Sequence, residues 1–143
     1  MIVLDTDHLS ELQRPHSRRR VRLVERLKRH GDRVIATTVV SIEEQFRGRL
    51  ATINSRPAGI EQVVPYTELN ELLEFFVGWI VLPFDMMAVG LFQDLRASKH
   101  RIGTMDLKIA SIVLAQKGTL LSANLRDFRQ VPNLPVEDRL SQE

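Results

Sequence analysis

The chain has 143 residues, of which 43% are hydrophobic and none is cysteine, and its formal net charge is +2. Its length suits one domain with a buried core, and the lack of cysteine excludes a disulfide framework, a thiolate zinc site and a cysteine nucleophile. No apolar run reaches the roughly 18 residues of a membrane span, and the four apolar residues at the start lead directly into Asp5, unlike a signal peptide. We therefore expect one cytoplasmic domain, residues 1–143, with no membrane partner.

The first half of the sequence predicts two strands, each followed by helical segments. The assignment depends on apolar residues at helical spacing and on the residues that stop them. The elements are a strand at residues 1–4, a helix that carries Val21, Leu23, Val24 and Leu27 and stops at Gly31, a strand at residues 33–37, a helix at residues 39–53, and a helix from Pro57 to about Val77.

The second half continues the alternation of strands and helices. The elements are a strand at residues 79–84 that ends near Pro83, a helix from the capping residue Asp85 to about Lys99, a helix at residues 105–116 capped by Thr104, a strand at residues 119–122, and a short strand near residues 134–136. This order predicts an α/β fold, with a mostly parallel sheet of four to five strands and helices on both faces.

The predicted first helix lies in a strongly basic segment, residues 14–33. This segment holds nine lysine and arginine residues against two acids. Such a local excess of positive charge is typical of a protein that binds a polyanion, and a solvated helix surface is the alternative interpretation. The segment therefore suggests nucleic acid as a partner.

Side chains with oxygen ligands follow the predicted strands. The carboxyl ends of parallel strands meet at one edge of the sheet, and ligands bind in the crevice outside that edge. The residues expected there are Asp5 after the first strand, Asp85 after the third, and Asn124 and Asp127 after the fourth. Asp106 belongs to the first turn of the helix before the fourth strand. Glu44 lies on the helix after the second strand, and spacing alone does not fix its reach toward the edge.

Several carboxylates in one crevice repel each other, so their ionised forms need a cation among them. Mg²⁺ and Mn²⁺ prefer carboxylate, amide and water oxygens, which this sequence offers without any thiolate. Such ions activate water and stabilise charge on a phosphoryl group in many nucleases. The four histidines show no metal-ligand spacing, and we assign none of them as a general base.

The stretch Asp5-Thr6-Asp7 admits two other interpretations. One is a capped turn at the end of the strand. The other is a phosphatase similar to the haloacid dehalogenases, with Asp5 as nucleophile and Asp7 as general acid. That enzyme also needs a downstream lysine and a later acidic pair, and no lysine follows residues 119–122.

Three longer stretches resemble the PIN-domain ribonucleases, and most closely the VapC toxins of bacterial toxin–antitoxin pairs. They are MIVLDTDHLSEL, TTVVSIEEQFRGRL and GTMDLKIASIVLAQKGTLLSANLRDFRQVPNL. The family's glutamate stands four residues before a glycine, so counting back from Gly48 selects Glu44 over Glu43. Because the likeness is distributed over the whole chain, it carries more weight than any single motif.

The resemblance implies a PIN-like three-layer sandwich that acts as a metal-dependent endoribonuclease, the toxin of a type II toxin–antitoxin pair. It implies one or two Mg²⁺ or Mn²⁺ ions and attack on an RNA phosphodiester by water that the metal activates. Asp5, Glu44 and Asp106 would be the catalytic acids and metal ligands, and Asn124 and Asp127 would be further ligands. Asn124 stands where some members have Asp, so we expect weaker attraction of the metal there.

Other residues receive supporting roles from the same resemblance. Asp7 would orient Asp5 or a backbone amide, Ser122 would hydrogen-bond a carboxylate or a water bound to the metal, and Thr6 would be a further supporting residue. Asp85 is expected to be a helix cap instead of a ligand.

The resemblance also implies macromolecular partners. These are an antitoxin whose peptide lies across the active-site groove, an RNA substrate and a second copy of the chain. Arg18, Arg19 and Arg20 are candidates for contacts to the RNA backbone. Apolar residues on the helices between residues 39 and 77 would form an interface or ordinary core; they are Leu69, Leu72, Leu73, Phe75 and Phe76. A PIN domain that binds RNA without cutting it, and a purely partner-binding domain, remain alternatives.

Overall fold

The computed structural model describes residues 1–29, 31, 34–98 and 101–141. The predicted element boundaries at Arg33 and Lys99, and the histidines His30 and His100, lie outside these residues. Within them, no helix has the length and apolar character needed to cross a membrane.

Among the described residues, five short strands form one parallel sheet. They are β1 (Ile2–Leu4), β2 (Ile35–Thr38), β3 (Ile80–Leu82), β4 (Thr119–Leu121) and β5 (Val136–Glu137). Their order is β3-β2-β1-β4-β5, and every neighbouring pair is parallel. In the central strand, Val3 pairs with Ala36 on one side and with Leu120 on the other. The predicted parallel α/β sheet is confirmed.

In the described part of the chain, seven helices and one 3₁₀ turn connect the strands. The helices are α1 (Thr6–Leu12), α2 (Arg18–Arg29), α3 (Val39–Asn54), α4 (Val63–Phe75), α5 (Met86–Ala97), α6 (Thr104–Ala115) and α7 (Leu125–Phe128), and the 3₁₀ turn is Ile60–Gln62.

The alternation of side chains along β1 divides the core into two layers. Val3 packs with residues of α5 and α6, including Phe92 and Ile109. Its neighbours Ile2 and Leu4 point to the opposite face and pack with α1 and α2. Successive residues of a strand face opposite sides of a sheet, so a strand buried on both faces requires helices on both. This confirms the predicted three-layer arrangement.

Two predicted helix starts are wrong, and one is confirmed. Pro57 does not open a helix, because Gly59 has φ +125° and α4 begins only at Val63, after the 3₁₀ turn. Thr104 is the first residue of α6 instead of its cap, which is Gly103. Asp85 is the predicted N-cap of α5, and its Oδ1 accepts a hydrogen bond from Ala88 N at 3.0 Å.

The predicted apolar interface residues divide between core and surface. Leu72 is buried, and Phe75 and Phe76 pack against the core layer that contains α1 and α2. Leu73 is exposed on the same helix. Most of these residues therefore belong to ordinary core packing, and α4 still presents an apolar surface.

Candidate metal centre

Asp5 lies at the carboxyl end of the central strand and is the N-cap of α1. Its Oδ1 accepts a hydrogen bond from Thr6 N at 2.7 Å, and its Oδ2 accepts one from Ser122 Oγ at 2.8 Å. The residue is only 7% exposed. A strand that turns directly into a helix leaves the cap side chain at the start of the crevice, where the helix dipole favours negative charge.

The environment of Asp5 makes its negative charge costly. Burial raises the pKa of its carboxyl from 3.8 to about 7, and the nearby charges of Asp7 and Asp106 contribute to the rise. The hydrogen bonds from Ser122 and Thr6 oppose it. A carboxyl group with this pKa is only partly ionised near neutral pH, so a cation bound beside it would compete with the proton.

Ser122 links Asp5 to the strand next to it. The residue is fully buried, its hydroxyl donates to Asp5, and the same oxygen accepts from Asn124 N at 3.0 Å. Its backbone N–H donates to the carbonyl oxygen of Glu137 on β5 at 3.0 Å. The pairing of β4 with β1 and β5 thus fixes the hydroxyl that orients Asp5, as expected for a supporting residue.

Asp106 and Asp127 are joined through the amide of Asn124. The Asn124 Nδ2 atom lies 3.1 Å from Asp106 Oδ2 and 3.1 Å from Asp127 Oδ2. Ionised carboxylates only accept hydrogen bonds, so the amide nitrogen faces both. Burial raises the pKa of Asp106, the charge of Asp127 raises it further, and the hydrogen bond from Asn124 lowers it.

Glu44 reaches this group from α3. Its Oε2 accepts a hydrogen bond from Thr6 Oγ1 at 3.1 Å, so the residue after Asp5 joins the glutamate to the crevice. Its Oε1 is buried and has no hydrogen-bond partner in the described part of the chain. Burial raises the pKa of Glu44, the Thr6 hydrogen bond opposes that rise, and the charge of Asp106 adds to it. The side chain of Glu44, whose reach the spacing did not fix, therefore extends to the sheet edge.

Asp7 lies near Asp5 and has hydrogen-bond partners of its own. Its Oδ2 accepts from Ala123 N at 2.9 Å and lies 3.4 Å from Ser122 Oγ, while its Oδ1 lies 2.5 Å from His8 Nδ1. Burial alone would raise the pKa of Asp7, but the contacts with His8 and Ala123 outweigh it and the pKa lies below its ordinary value.

The sequence did not identify His8 as part of this network. The side chain is fully buried, and its Nε2 accepts a hydrogen bond from Arg139 N at 3.2 Å. The proton therefore resides on Nδ1, which donates to Asp7. The one sign of this role in the sequence was that His8 follows Asp7, because its other partner, Arg139, is remote along the chain.

The arrangement can be compared with the needs of a divalent cation. Within the described residues, no group of three or more acidic, histidine or cysteine side chains stands together as a ready metal-binding cluster. Hydroxyl and amide groups of Thr6, Ser122 and Asn124 instead bridge the acids. The carboxyl groups nevertheless fit a hard cation, because they offer only oxygen ligands. One of these oxygens, the buried Oε1 of Glu44, has no hydrogen-bond partner within the described residues. The predicted roles of these residues as ligands stay predictions.

The basic residues expected to contact RNA have contacts within the protein as well. Arg20 Nε donates to the carbonyl oxygen of Leu12 at 3.0 Å, and Arg19 lies 3.9 Å from the buried carboxylate of Glu11. Arg18 is exposed at the start of α2. Arg19 and Arg20 therefore also join α2 to α1, and their predicted contact with RNA stays a prediction.

Comparison with known proteins supports the architecture. No protein-family model and no curated protein matches the sequence. Solved structures do match, among them VapBC2 from Rickettsia felis bound to a promoter DNA fragment, at 22% identity over 96% of this chain and 98% of that chain, with a TM-score of 0.74. VapBC-1 from nontypeable Haemophilus influenzae matches at 18% identity over 99% and 100% of the two chains, with a TM-score of 0.73.

A third structure is more distant. VapC20 from Mycobacterium tuberculosis, described as a sarcin-ricin loop cleaving toxin, matches at 14% identity over 91% of this chain and 94% of that chain, with a TM-score of 0.54. At such identities the likeness shows the fold and leaves the activity open. The chain has the PIN-like α/β fold of VapC structures, and the fold that the sequence resemblance implied is confirmed.

Proposed function

We propose that this chain is a metal-dependent endoribonuclease of the PIN class and the toxin of a type II toxin–antitoxin pair. The observation that carries the proposal is the convergence of the carboxyl groups of Asp5, Glu44 and Asp106 at the carboxyl edge of one parallel sheet, where hydrogen bonds from Thr6, Ser122 and Asn124 join them. The pKa of each of these carboxyl groups is raised. Carboxyl groups with perturbed pKa values at a sheet edge are typical of functional sites.

In the proposed reaction, a phosphodiester of RNA is hydrolysed by water without a covalent intermediate. Asp5, oriented by Thr6 and Ser122, and Asp106 would be the principal ligands of a Mg²⁺ or Mn²⁺ ion. When bound, the ion would activate the attacking water at neutral pH and offset the charge that develops on the phosphoryl group. The unpaired oxygen of Glu44 serves as a ligand or positions the attacking water.

The contacts of Asp7 argue against the phosphatase alternative. A general acid must hold its proton near neutral pH, which requires a raised pKa. The pKa of Asp7 is lowered, and its two oxygens accept hydrogen bonds from His8 and Ala123. Asp7 is therefore suited to holding the loop after β4 in place, and poorly suited to donating a proton to a leaving group.

Asp106→Asn tests the nuclease directly. With Mn²⁺ and a mixed RNA substrate, we expect the variant to cut at least about 100-fold more slowly than the unchanged chain, since it loses a charged ligand. Asp94→Asn on α5 removes the same charge from an exposed position and should cut at the normal rate. EDTA, which removes the metal, should stop cleavage by the unchanged chain and by Asp94→Asn.

The same experiment decides among the alternative functions. A chain that binds RNA but does not cut it would retain a shift in RNA mobility with no products in Mn²⁺. A purely partner-binding domain would show neither. Equal cleavage by Asp106→Asn and the unchanged chain would refute the proposed site.

Protein partners are part of the proposal. The matched structures from Rickettsia felis and Haemophilus influenzae are described as VapBC, which supports an antitoxin partner for this chain too. A short overlapping reading frame that encodes a DNA-binding protein, next to the gene, would support the pairing. Exposed apolar side chains of α4 support a homodimer; they are Val63, Val64, Tyr66 and Leu73. A 16 kDa species alone at micromolar concentration would contradict the dimer.

Asn124→Asp should have opposite effects on the metal-free and metal-bound protein. The substitution replaces two donated hydrogen bonds with repulsion among Asp106, Asp127 and the new carboxylate, so the metal-free protein should lose about 1–3 kcal/mol of unfolding free energy. The added negative charge should increase Mn²⁺ affinity about tenfold. Calorimetric Mn²⁺ titration and urea unfolding in EDTA measure the two effects, and Asn70→Asp on the exposed surface of α4 is the control.

A further inference from the structure

A polar cavity of about 470 Å³ lies between α7 and the end of β5. Its volume falls within the roughly 300–1,000 Å³ that is usual for small-ligand sites. Its lining residues are Leu125, Arg129, Val136, Glu137, Asp138 and Ser141. Apolar and charged groups therefore share its wall.

The cavity lies beside the candidate metal centre. Leu125 directly follows Asn124, whose amide contacts Asp106 and Asp127. On the opposite wall, the carbonyl oxygen of Glu137 accepts a hydrogen bond from Ser122 N at 3.0 Å. Both walls are thus joined to residues that hold the acids, so the cavity adjoins the candidate metal centre.

The charges of the cavity nearly balance. Glu137 Oε2 lies 3.1 Å from Arg139 Nε, and Asp138 Oδ1 accepts a hydrogen bond from Leu140 N at 2.8 Å. Arg129 contributes a positive charge at the exposed rim. A phosphate would meet the carboxylates of Glu137 and Asp138, and a metal cation would meet the guanidinium group of Arg129. A neutral ligand that donates hydrogen bonds satisfies the wall better than either.

We propose that this cavity binds an unstacked base of the RNA strand next to the cleaved bond, and that guanine is the preferred base. The inference rests on the proposed nuclease function. Carboxylates accept hydrogen bonds from the amino groups of bases, and guanine offers two adjacent donors, its N1–H and its 2-amino group, one for each of the two carboxylates. Glu137 and Asp138 read the base edge, Leu125 and Val136 pack on its face, and Arg129 contacts a flanking phosphate.

Base substitution in the substrate tests the cavity. The unchanged chain with Mn²⁺ should cut a randomised single-stranded RNA with guanine enriched at one position beside the cut. Inosine at that position lacks the 2-amino group, and kcat/KM should fall about tenfold. The double variant Glu137→Gln with Asp138→Asn should bring the guanine-to-inosine ratio to within about twofold of unity. Asp94→Asn should keep the wild-type ratio.

A second variant and a binding measurement distinguish a failure of the nuclease proposal from a failure of the base preference. Arg129→Gln should weaken guanine and inosine substrates equally, because it removes a phosphate contact. If the unchanged chain cuts no RNA, the nuclease proposal fails, and fluorescence anisotropy with the same two RNAs still measures the base preference. Equal binding or cleavage of the two RNAs, or an unchanged ratio in the double variant, would overturn the inference. That negative result is expected if the cavity instead receives a basic side chain of a protein partner.

Discussion

Asp5→Asn should abolish RNA cleavage and, at the same time, make the metal-free protein more stable at pH 8. We expect the rate to fall about 10³-fold, since the variant loses the charged ligand at the centre of the proposed site. The unfolding free energy should rise by roughly 2–4 kcal/mol, because the carboxylate is buried and its pKa is raised to about 7. Asn keeps the size of Asp and can still accept the Thr6 N–H.

Opposite signs for activity and stability distinguish a functional carboxylate from a structural one. A structural cap would gain no stability on replacement of Asp by Asn, because Asn caps a helix about as well as Asp does. Asp85→Asn is the matched control, because Asp85 is also an N-cap at the carboxyl edge of the sheet but has an exposed side chain. It should leave cleavage unchanged and alter stability by less than about 1 kcal/mol. RNA cleavage in Mn²⁺ and urea unfolding in EDTA give both readouts. Normal cleavage by Asp5→Asn would refute the metal centre.

The sequence was sufficient to predict that Asp5 and the residues after the fourth strand share one edge of the sheet, but it did not fix the reach of Glu44 toward that edge. Asp5 directly follows an apolar strand, Asp106 lies in the first turn of a helix before another strand, and parallel strands place their carboxyl ends together. The pairing of β1 with β4 brings the residues after those strands into contact, as the Ser122 to Asp5 hydrogen bond shows. Local pattern and topology are enough for this part of the site.

Contacts between side chains that are remote in sequence could not be predicted in the same way. Asn124 was expected to be a further metal ligand, yet it turns its amide nitrogen to Asp106 and Asp127. That orientation depends on two carboxylates meeting in the folded chain. His8 likewise depends on the backbone of Arg139, which no spacing rule connects to it.

The predicted helix boundaries were wrong where a local backbone conformation or a short segment overrode the side-chain pattern. The helix α1 was missed because its seven residues follow β1 with only Asp5 between them, too few to establish a period. Pro57 has the right chemistry for a first helical turn, but the positive φ of Gly59 interrupts the chain before α4. These errors change helix lengths without moving the acids.

The stability of the metal-free protein should decrease as the pH rises from 4 to 7. The folded state holds the Asp5 proton more tightly than the unfolded chain does, since the pKa of Asp5 rises from 3.8 to about 7. Its stabilising contribution is therefore complete below about pH 4 and is lost as the pH approaches 7. The raised pKa values of Glu44 and Asp106 act in the same direction, and the lowered pKa of Asp7 acts in the opposite one. The part due to Asp5 is on the order of 4 kcal/mol.

Mn²⁺ should reverse this loss at pH 8 and have little effect at pH 5, because the ion competes with protons for the same carboxylates. An ion at about 100 times its dissociation constant adds roughly 2.7 kcal/mol to the unfolding free energy. Urea unfolding at the two pH values, with EDTA or with Mn²⁺, measures both effects. Asp5→Asn should show a flatter pH dependence and a smaller response to Mn²⁺. Parallel pH curves for the two proteins would mean that Asp5 is not the buried titrating group, and an equal response to Mn²⁺ would mean that the ion binds elsewhere.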